Sequence, residues 1–327
     1  MPLAVLCRAL GPPEGLSLEE LPRRKLAPGE ARIRLHACGI NFPDILTIEG
    51  KYQHKPELPF TPGVESAGTI AELAPDVTQW RVGERVITRQ RIGGYAEEIV
   101  LPAGQLLRLP HGFSFAEGAS FAVAGLTAYH ALVQRAGLRP GESLLVHGAA
   151  GGVGLAAVEL GKLLGARVIA TASSAEKLAA ARARGADEAI DYTRQDFVAA
   201  VRDLTGGDGA DVIFDPVGGE VMAQSLRAVA WGGRLLVVGF AAGSIPALAA
   251  NRILLKSCAV IGVRAGEASR KEPHLAAAAM TALLAYAEKG HLRPHVCDAL
   301  PLARFAEGMR LLSERKAIGR VVLLPTL

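Results

Sequence analysis

Two patterns of hydrophobic and polar positions divide the chain. From residue 1 to about 120, short segments alternate apolar and polar residues as half-buried strands do, most clearly over 31–37. Gly and Pro separate these segments closely, which predicts a barrel-like or irregular β-rich domain. From about 123 to 264, short apolar runs alternate with helical periods. The apolar runs lie at 143–147, 167–171, 188–190, 211–214, 234–238 and 258–263.

The second pattern predicts an α/β fold. Strands that are apolar throughout are typical of a parallel sheet covered on both faces, and six of them joined by helices form a doubly wound, Rossmann-type sheet. An Ala- and Leu-rich helix is predicted over 274–289. A last strand over 320–324 follows no nucleotide motif, so we expect it to return to the first domain. The expected domains are 1–122 with 265–327, and 123–264.

The first strand of this sheet is followed by a turn of small residues. Such a turn lets a pyrophosphate approach the N-terminus of the next helix, where free N–H groups and the helix dipole favour negative charge. The first glycine of the usual motif is replaced here, so the motif alone leaves open a glycine-rich turn in another kind of α/β protein. Its place directly after the first strand predicts a dinucleotide site. The site residues are Ala149, Gly151, Gly152, Val153 and Gly154.

The end of the second strand indicates which dinucleotide binds. NAD sites usually carry an acidic residue about 20 positions after the turn, whereas this strand ends in Ser173 and Ser174, with Lys177 one helical turn later. A hydroxyl and a cation suit the 2′-phosphate of NADPH, which a carboxylate would repel. In the alternative, a serine caps the helix and Lys177 is a solvated surface residue; both can hold together. Tyr192, after the third strand, is expected to stack near the adenosine or simply to pack.

Amino-acid composition indicates which kinds of partner and which cellular compartment to expect. The 327 residues carry a net charge of +4, and Lys and Arg are spread among Asp and Glu, so nothing indicates nucleic acid. The sequence has no secretory leader pattern and no apolar run of about 18 residues, which predicts that the protein has no membrane partner. The four cysteines lie far apart, and this fits the reducing cytoplasm.

Motifs along nearly the whole chain resemble the zinc-free quinone oxidoreductase, or ζ-crystallin-like, branch of the medium-chain dehydrogenase/reductase superfamily. They lie at 37–44, 50–60, 62–68, 82–86, 93–97, 125–128, 148–154, 215–219 and 238–240. The resemblance implies a Rossmann sheet inserted in a GroES-like catalytic domain, NADPH as cofactor, and a small quinone or enone as acceptor. It also places several residues around the nicotinamide half of the cofactor, mostly through backbone groups. These are Thr127, Gly218, Phe240, Val263 and Arg264.

The resemblance also bears on metal binding. Zinc alcohol dehydrogenases of the superfamily carry Cys and His at the positions of Asn41 and Val64. A catalytic zinc is held by several N, S or O side chains, so the resemblance implies no metal site. Arg264 and Arg320 are each expected to reach a phosphate, or else to be surface or structural arginines.

Without a metal, hydrogen-bond donors should face the oxygen on which negative charge develops. Asn41 is the predicted donor, because in related enzymes this position borders the nicotinamide; capping of a helix over 42–48 is the compatible alternative. Tyr52 is predicted to bound the acceptor pocket or to pack in the core. Glu65 is expected to hold a buried arginine or a loop. No general acid stands out, which favours solvent as the proton source.

The sixth strand of the predicted sheet, 258–263, lies at its edge. An unpaired apolar edge favours pairing with a second copy, which predicts a homodimer through this strand. Two further functions stay open beside quinone reduction: reduction of an enoyl-thioester or alkenal double bond, and a non-catalytic NADPH-binding role. The fold alone does not choose among them.

Overall fold

A computed structural model describes residues 1–325 of the chain. Fifteen strands are defined within this range. They are β1 (Leu3–Leu6), β2 (Ser17–Glu20), β3 (Glu30–Gly39), β4 (Glu65–Leu73), β5 (Arg85–Arg89), β6 (Glu98–Pro102), β7 (Leu107–Arg108), β8 (Ser143–Val146), β9 (Arg167–Ala172), β10 (Glu188–Asp191), β11 (Ala210–Asp215), β12 (Val229–Val237), β13 (Ala259–Gly262), β14 (Val296–Pro301) and β15 (Arg320–Leu324).

Local sequence explains where several helices begin. Ser174 accepts a hydrogen bond from the Lys177 N–H, and Asp196 accepts from the N–H groups of Val198 and Ala199, so both side chains cap helices. The helices are α1 (Phe42–Ile48), α2 (Phe115–Gly118), α3 (Ala122–Tyr129), α4 (Gly152–Leu163), α5 (Ala175–Ala183), α6 (Phe197–Leu204), α7 (Gly219–Ala228), α8 (Ala250–Lys256), α9 (Ala265–Lys271), α10 (Pro273–Glu288) and α11 (Phe305–Ser313), with a π-helical turn at His130–Arg135.

Packing divides the chain into two units, one of residues 1–123 and the chain from 293 onward, the other of residues 124–292. The segment 265–292 therefore belongs with the dinucleotide sheet, whereas the sequence predicts it in the first domain. The reason is the apolar face of α10: Leu283 is fully buried, and Tyr286 packs against the apolar core of the second unit. The last two residues of the predicted first domain lie outside the described range.

The first unit is built on an antiparallel-rich sheet. Its seven strands run in the order β14-β15-β3-β4-β5-β7, with β6 also paired to β3, and β1 and β2 form a separate antiparallel pair. Strand β15 pairs antiparallel with β3, so the end of the chain returns to this unit as predicted. Alternate residues of β3, such as Ile33 and Leu35, are completely buried in its core.

The second unit is a doubly wound sheet. Its six parallel strands run in the order β10-β9-β8-β11-β12-β13, with helices between them. Each strand overlaps one of the six predicted apolar runs, although β12 begins five residues earlier than predicted, so the predicted fold class is confirmed. The direction of winding reverses between β8 and β11, and in such sheets ligands bind outside the carboxyl ends of the strands at this point. Within residues 1–325, no helix is long and apolar enough to cross a bilayer.

Candidate functional site

The glycine-rich turn leads from β8 into α4 and leaves no room for a side chain at Gly154. A Cβ at Gly154 would lie 2.3 Å from the carbonyl oxygen of Gly148 and 2.8 Å from the Cα of Ala149. Gly148 itself has a φ of +56°, a left-handed conformation that favours glycine. Gly151 caps α4 without a side chain, so the N–H groups of its first turn face outward without a capping acceptor. This geometry fits a pyrophosphate.

The carboxyl ends of β9 and β10 bring together the residues predicted for the adenosine phosphate. Lys177 Nζ lies 3.4 Å from Ser173 Oγ, while Ser174 caps α5. Tyr192 is 38% exposed, and its N–H donates to the carbonyl of Ala172 at 3.3 Å. Ser174 therefore caps the helix, while the hydroxyl of Ser173 stands beside the ammonium group of Lys177.

The ends of β11 and β12 also meet. Gly218 has a φ of +74°, and a Cβ there would lie 2.8 Å from the ring of Phe240. Asp215 Oδ1 holds this turn by accepting from the N–H groups of Val217 at 2.7 Å and Gly218 at 2.9 Å. Burial raises the pKa of Asp215 to about 6. Sequence reasoning gave Asp215 no role, although an acidic residue ending a buried strand before two glycines was the available signal.

The other residues predicted near the nicotinamide lie on α3 and just after β13. Val263 is buried and its N–H donates to the Val237 carbonyl at 2.9 Å, which extends the strand, and Arg264 is the N-cap of α9. Thr127 is half-buried on α3. Leu126 and Ala265, neighbours of Thr127 and Arg264 in sequence, line one cavity. The two segments therefore meet within the second unit.

A buried histidine that sequence reasoning missed supports the glycine-rich turn. His147 Nε2 lies 3.0 Å from Ser225 Oγ, and that hydroxyl donates to the Val221 carbonyl at 2.8 Å, so Nε2 carries the proton. Nδ1 then accepts from Thr171 Oγ1 at 2.9 Å. Burial lowers the pKa of His147 to about 3, so the ring is neutral. Because the Thr171 carbonyl also accepts from the Ala149 N–H at 3.1 Å, this network links the turn to β9.

In the first unit, Asn41 is the N-cap of α1 and is almost completely buried. Its N–H donates to Asp44 Oδ2 at 2.8 Å. Its side-chain amide donates to the Gly39 carbonyl at 3.3 Å and to Glu65 Oε1 at 3.0 Å. The capping role is therefore confirmed. Both amide hydrogens are engaged inside the protein in this structure, and the role of Asn41 as hydrogen-bond donor to the acceptor stays a prediction.

Glu65 holds a buried arginine, as expected, and that arginine is Arg320. The Arg320 guanidinium donates to Glu65 Oε1, while Glu65 Oε2 accepts from the Val123 N–H at 2.9 Å. Arg320 is only 6% exposed. The prediction that Arg320 reaches a phosphate is therefore wrong in this structure, because its charge is neutralised inside the first unit; its structural alternative is the one observed.

A carboxyl group and a phenol complete this buried network. Tyr95 OH donates to Asp44 Oδ2 at 2.8 Å, and both side chains are buried. Burial raises the pKa of Asp44 to about 7, against the hydrogen bonds from Tyr95 and Asn41 that lower it. Sequence reasoning named Tyr95 only as part of a family motif, since its partner lies 51 positions away.

Tyr52 lies in the loop after α1. Its N–H donates to the carbonyl of Leu46 at 3.0 Å, and its side chain is half-buried. Both predicted roles, in a pocket wall and in packing, suit a half-buried ring, so the role of Tyr52 stays a prediction.

The side chains at the position of the superfamily's catalytic metal do not fit zinc. Asn41 has its amide engaged, Glu65 is ion-paired with Arg320, and the Cys38 thiol is buried near the carbonyl of Ala96. Burial raises the pKa of this thiol to about 12, which opposes the thiolate that zinc requires. No group of three or more His, Cys, Asp or Glu among residues 1–325 is arranged to hold a metal ion.

Known proteins place the chain in a family. Residues 27–111 match the alcohol dehydrogenase GroES-like domain, and residues 152–282 match the zinc-binding dehydrogenase domain. The chain is 41% identical over 98% of its length to the quinone oxidoreductase-like protein 2 homolog of Nematostella vectensis, covering 88% of that protein. The chain belongs to the quinone oxidoreductase branch of the medium-chain dehydrogenase/reductase superfamily.

Solved structures of this branch have the same fold. A quinone oxidoreductase of Pseudomonas syringae superposes with a TM-score of 0.91 at 32% identity, covering 99% of this chain and 100% of that one. The Escherichia coli quinone oxidoreductase in complex with NADPH gives a TM-score of 0.90 at 29% identity, with 99% and 100% covered. The predicted family is therefore confirmed.

Proposed function

We propose that this protein is an NADPH-dependent oxidoreductase that delivers hydride to a quinone or similarly electrophilic acceptor without a metal ion. The observation that carries the proposal is the pairing of a tight turn of small residues at Gly148–Gly154 with the end of β9, where Ser173 and Lys177 meet and the strand itself ends in no acidic residue. The NADPH held by the Escherichia coli relative supports the same cofactor here.

Different residues of the second unit bind different parts of NADPH in this proposal. Backbone N–H groups at the start of α4 bind the pyrophosphate, and Ser173 and Lys177 bind the 2′-phosphate, with Tyr192 beside the adenosine. The nicotinamide half contacts a further group, mostly through backbone: Thr127, Gly218, Phe240, Val263 and Arg264. When bound, NADPH supplies the hydride.

Because Asn41, Glu65 and Cys38 do not fit a zinc ion that would polarise an acceptor, the proposal requires an acceptor that is already electrophilic. A quinone meets this requirement, because hydride transfer to it needs little activation, whereas oxidation of a simple alcohol needs a Lewis acid or a strong base. Asp44, Glu65, Tyr95 and Arg320 are engaged with one another or with Asn41. They therefore fix the loop beside the acceptor, and the proton comes from solvent.

The test is oxidation of NADPH, compared with NADH, in the presence of 1,4-benzoquinone, 9,10-phenanthrenequinone, crotonyl-CoA or an alkenal, each with and without a chelator. We expect turnover of a quinone with NADPH that the chelator does not change. Turnover confined to the thioester or the alkenal would assign the protein to the double-bond reductases. Tight NADPH binding without turnover of any acceptor would contradict an enzymatic role with these classes.

We also propose a homodimer through the edge strand β13. Among the strands of the described chain, β13 pairs with β12 alone, and it follows α8, where Leu254 is 79% exposed and Leu255 is 71% exposed. Exposed leucines beside an unpaired edge are typical of an interface. Light scattering at micromolar concentration should give the mass of two chains, and the mass of one chain would contradict this proposal.

A further inference from the structure

Arg89 is a half-buried arginine whose charge has no partner among residues 1–325. It ends β5 and stands directly opposite Glu65 of β4, so the two side chains lie on the same face of the antiparallel pair. Within the described part of the chain, the Arg89 guanidinium makes no hydrogen bond and no ion pair. By contrast Arg32, on β3 of the same sheet, is buried and bonds to Glu72 at 2.8 Å.

Glu65 does not neutralise Arg89, because its charge is already engaged. Its two oxygens accept from Arg320, Asn41 and the Val123 N–H, and the Glu65–Arg320 pair is neutral as a whole. Arg89 therefore remains as one net positive charge. Burial lowers the pKa of Arg89 although Glu65 acts in the opposite direction, which shows that the surroundings disfavour this charge. A guanidinium stays protonated in proteins, so an anion that pairs with it would stabilise this charge.

The surroundings of Arg89 add positive charge. Arg91, two residues later, is exposed and forms no ion pair within residues 1–325. The pKa of His54 is lowered, mainly by burial and secondly by the positive charge of Arg91. The loop after α1, which carries His54, therefore comes close to the loop after β5, which carries Arg91. Arg89 and Arg91 thus form a cationic pair of side chains beside the buried network of Asn41 and Glu65.

We propose that Arg89 binds an oxyanion carried by the acceptor, so that the natural acceptor is an electrophile bearing a carboxylate, sulfonate or phosphate group. A planar guanidinium matches such a group with two parallel N–H···O bonds. In the proposed function, the phosphates of NADPH bind to the start of α4 and to Ser173 and Lys177, all in the second unit. Arg89 lies in the first unit, so we assign it to a different anionic ligand. This inference rests on the proposed reductase function and names the class of its substrate.

The test compares two acceptors that differ by one charged group, 1,2-naphthoquinone and 1,2-naphthoquinone-4-sulfonate. The measured quantity is the ratio of their kcat/KM values, anionic over neutral. We expect Arg89→Gln to lower this ratio by about tenfold or more, since a charge-assisted bidentate pair is lost, and Arg89→Lys to restore part of it. Arg304→Gln, which removes an exposed arginine paired with Glu307, is the matched control and should leave the ratio unchanged. An unchanged ratio in Arg89→Gln would overturn the proposal.

A binding measurement separates this inference from the proposed function. Naphthalene-2-sulfonate and inorganic sulfate are titrated calorimetrically into the NADPH-loaded protein and into both Arg89 variants. Naphthalene-2-sulfonate binding that weakens about tenfold in Arg89→Gln supports the inference even if no quinone is reduced, in which case the reductase function alone fails. No binding to the unaltered protein overturns it. Sulfate that binds as tightly as naphthalene-2-sulfonate also overturns it, because the site would then take a free anion.

Discussion

The two units of the molecule bury polar side chains in different ways. In the first unit, the network around Glu65 contains charged groups: the Glu65–Arg320 pair, with Asn41 bonded to it and Asp44 bonded to Tyr95. In the second unit, the network around His147 contains only neutral groups, two hydroxyls and an imidazole. Both networks lie beside candidate ligand sites. A position next to such a site therefore does not determine whether a buried polar network is charged or neutral.

The comparison shows what each solution requires. A buried charge must keep its counter-charge, because loss of one partner leaves the other desolvated and unpaired. A neutral network needs only complete hydrogen bonding, but it excludes the ionised form of its members. The two networks therefore respond to pH in opposite directions. The predictions below separate them, beginning with the largest expected effect.

Glu65→Gln should be the most destabilising change, since it leaves Arg320 buried without its counter-charge. We expect the first unit to lose about 3–5 kcal/mol of unfolding free energy. Urea unfolding, with intrinsic fluorescence and circular dichroism as separate probes, measures this loss. Glu307→Gln is the control: its pair with Arg304 is exposed and should contribute less than about 1 kcal/mol. Equal losses in the two variants would show that the charged network is no stronger than a surface pair.

His147→Leu should cost about 1–3 kcal/mol at pH 7.5, because the hydroxyl of Thr171 loses its acceptor inside the protein. The pKa of His147 is about 3 in the folded protein against an ordinary value of 6.5, so wild-type stability falls as the pH drops below about 6.5. The variant lacks this dependence, and the difference between the two should shrink toward pH 4.5. Thermal melts between pH 4.5 and 7.5 measure it, with the exposed His274→Leu as control; a constant difference would contradict a neutral buried imidazole.

Asp44→Asn should have the smallest effect and the opposite pH dependence. The pKa of Asp44 is about 7 in the folded protein against an ordinary value of 3.8, so its contribution to stability falls as the pH rises from about 4 to about 7. The variant should be less stable than wild type at pH 5, and this difference in stability should become smaller toward pH 8. Thermal melts of both proteins over this pH range measure the change. The exposed Asp208→Asn is the control, and its difference from wild type should not depend on pH in this way. A gap that widens with pH would contradict the assignment.

The sequence predicts elements and ligand classes here better than it predicts long-range pairs. Each strand of the doubly wound sheet is a continuous apolar run, and the turn at Gly148–Gly154 is local, so both are visible in a short window. Glu65 and Arg320 are 255 positions apart, and no local pattern could reveal that they meet. The sequence therefore predicts a phosphate or a structural role for Arg320 and a donor or a capping role for Asn41, but it does not reveal that Glu65 engages both.

The helix α10 illustrates a different limit. Its apolar face was evident, and its burial followed from that face. Which unit it packs against depends on contacts such as that between Leu283 and the position of Gly125, where a Cβ would lie 3.4 Å from Leu283 Cδ1. A periodic pattern predicts that a face is covered but does not identify the partner.

The tightness of the turn at Gly154 has a consequence for altering this protein. A single added carbon at that position would overlap the backbone of the preceding strand-to-helix connection, so the turn admits no gradual change of sequence. Ser173 and Tyr192 instead follow strand ends, and Lys177 lies in the first turns of α5, where one side chain can replace another without moving the backbone. Under the proposed function, an exchange of one nicotinamide cofactor for the other is therefore expected at these side chains, while Gly154 stays constant.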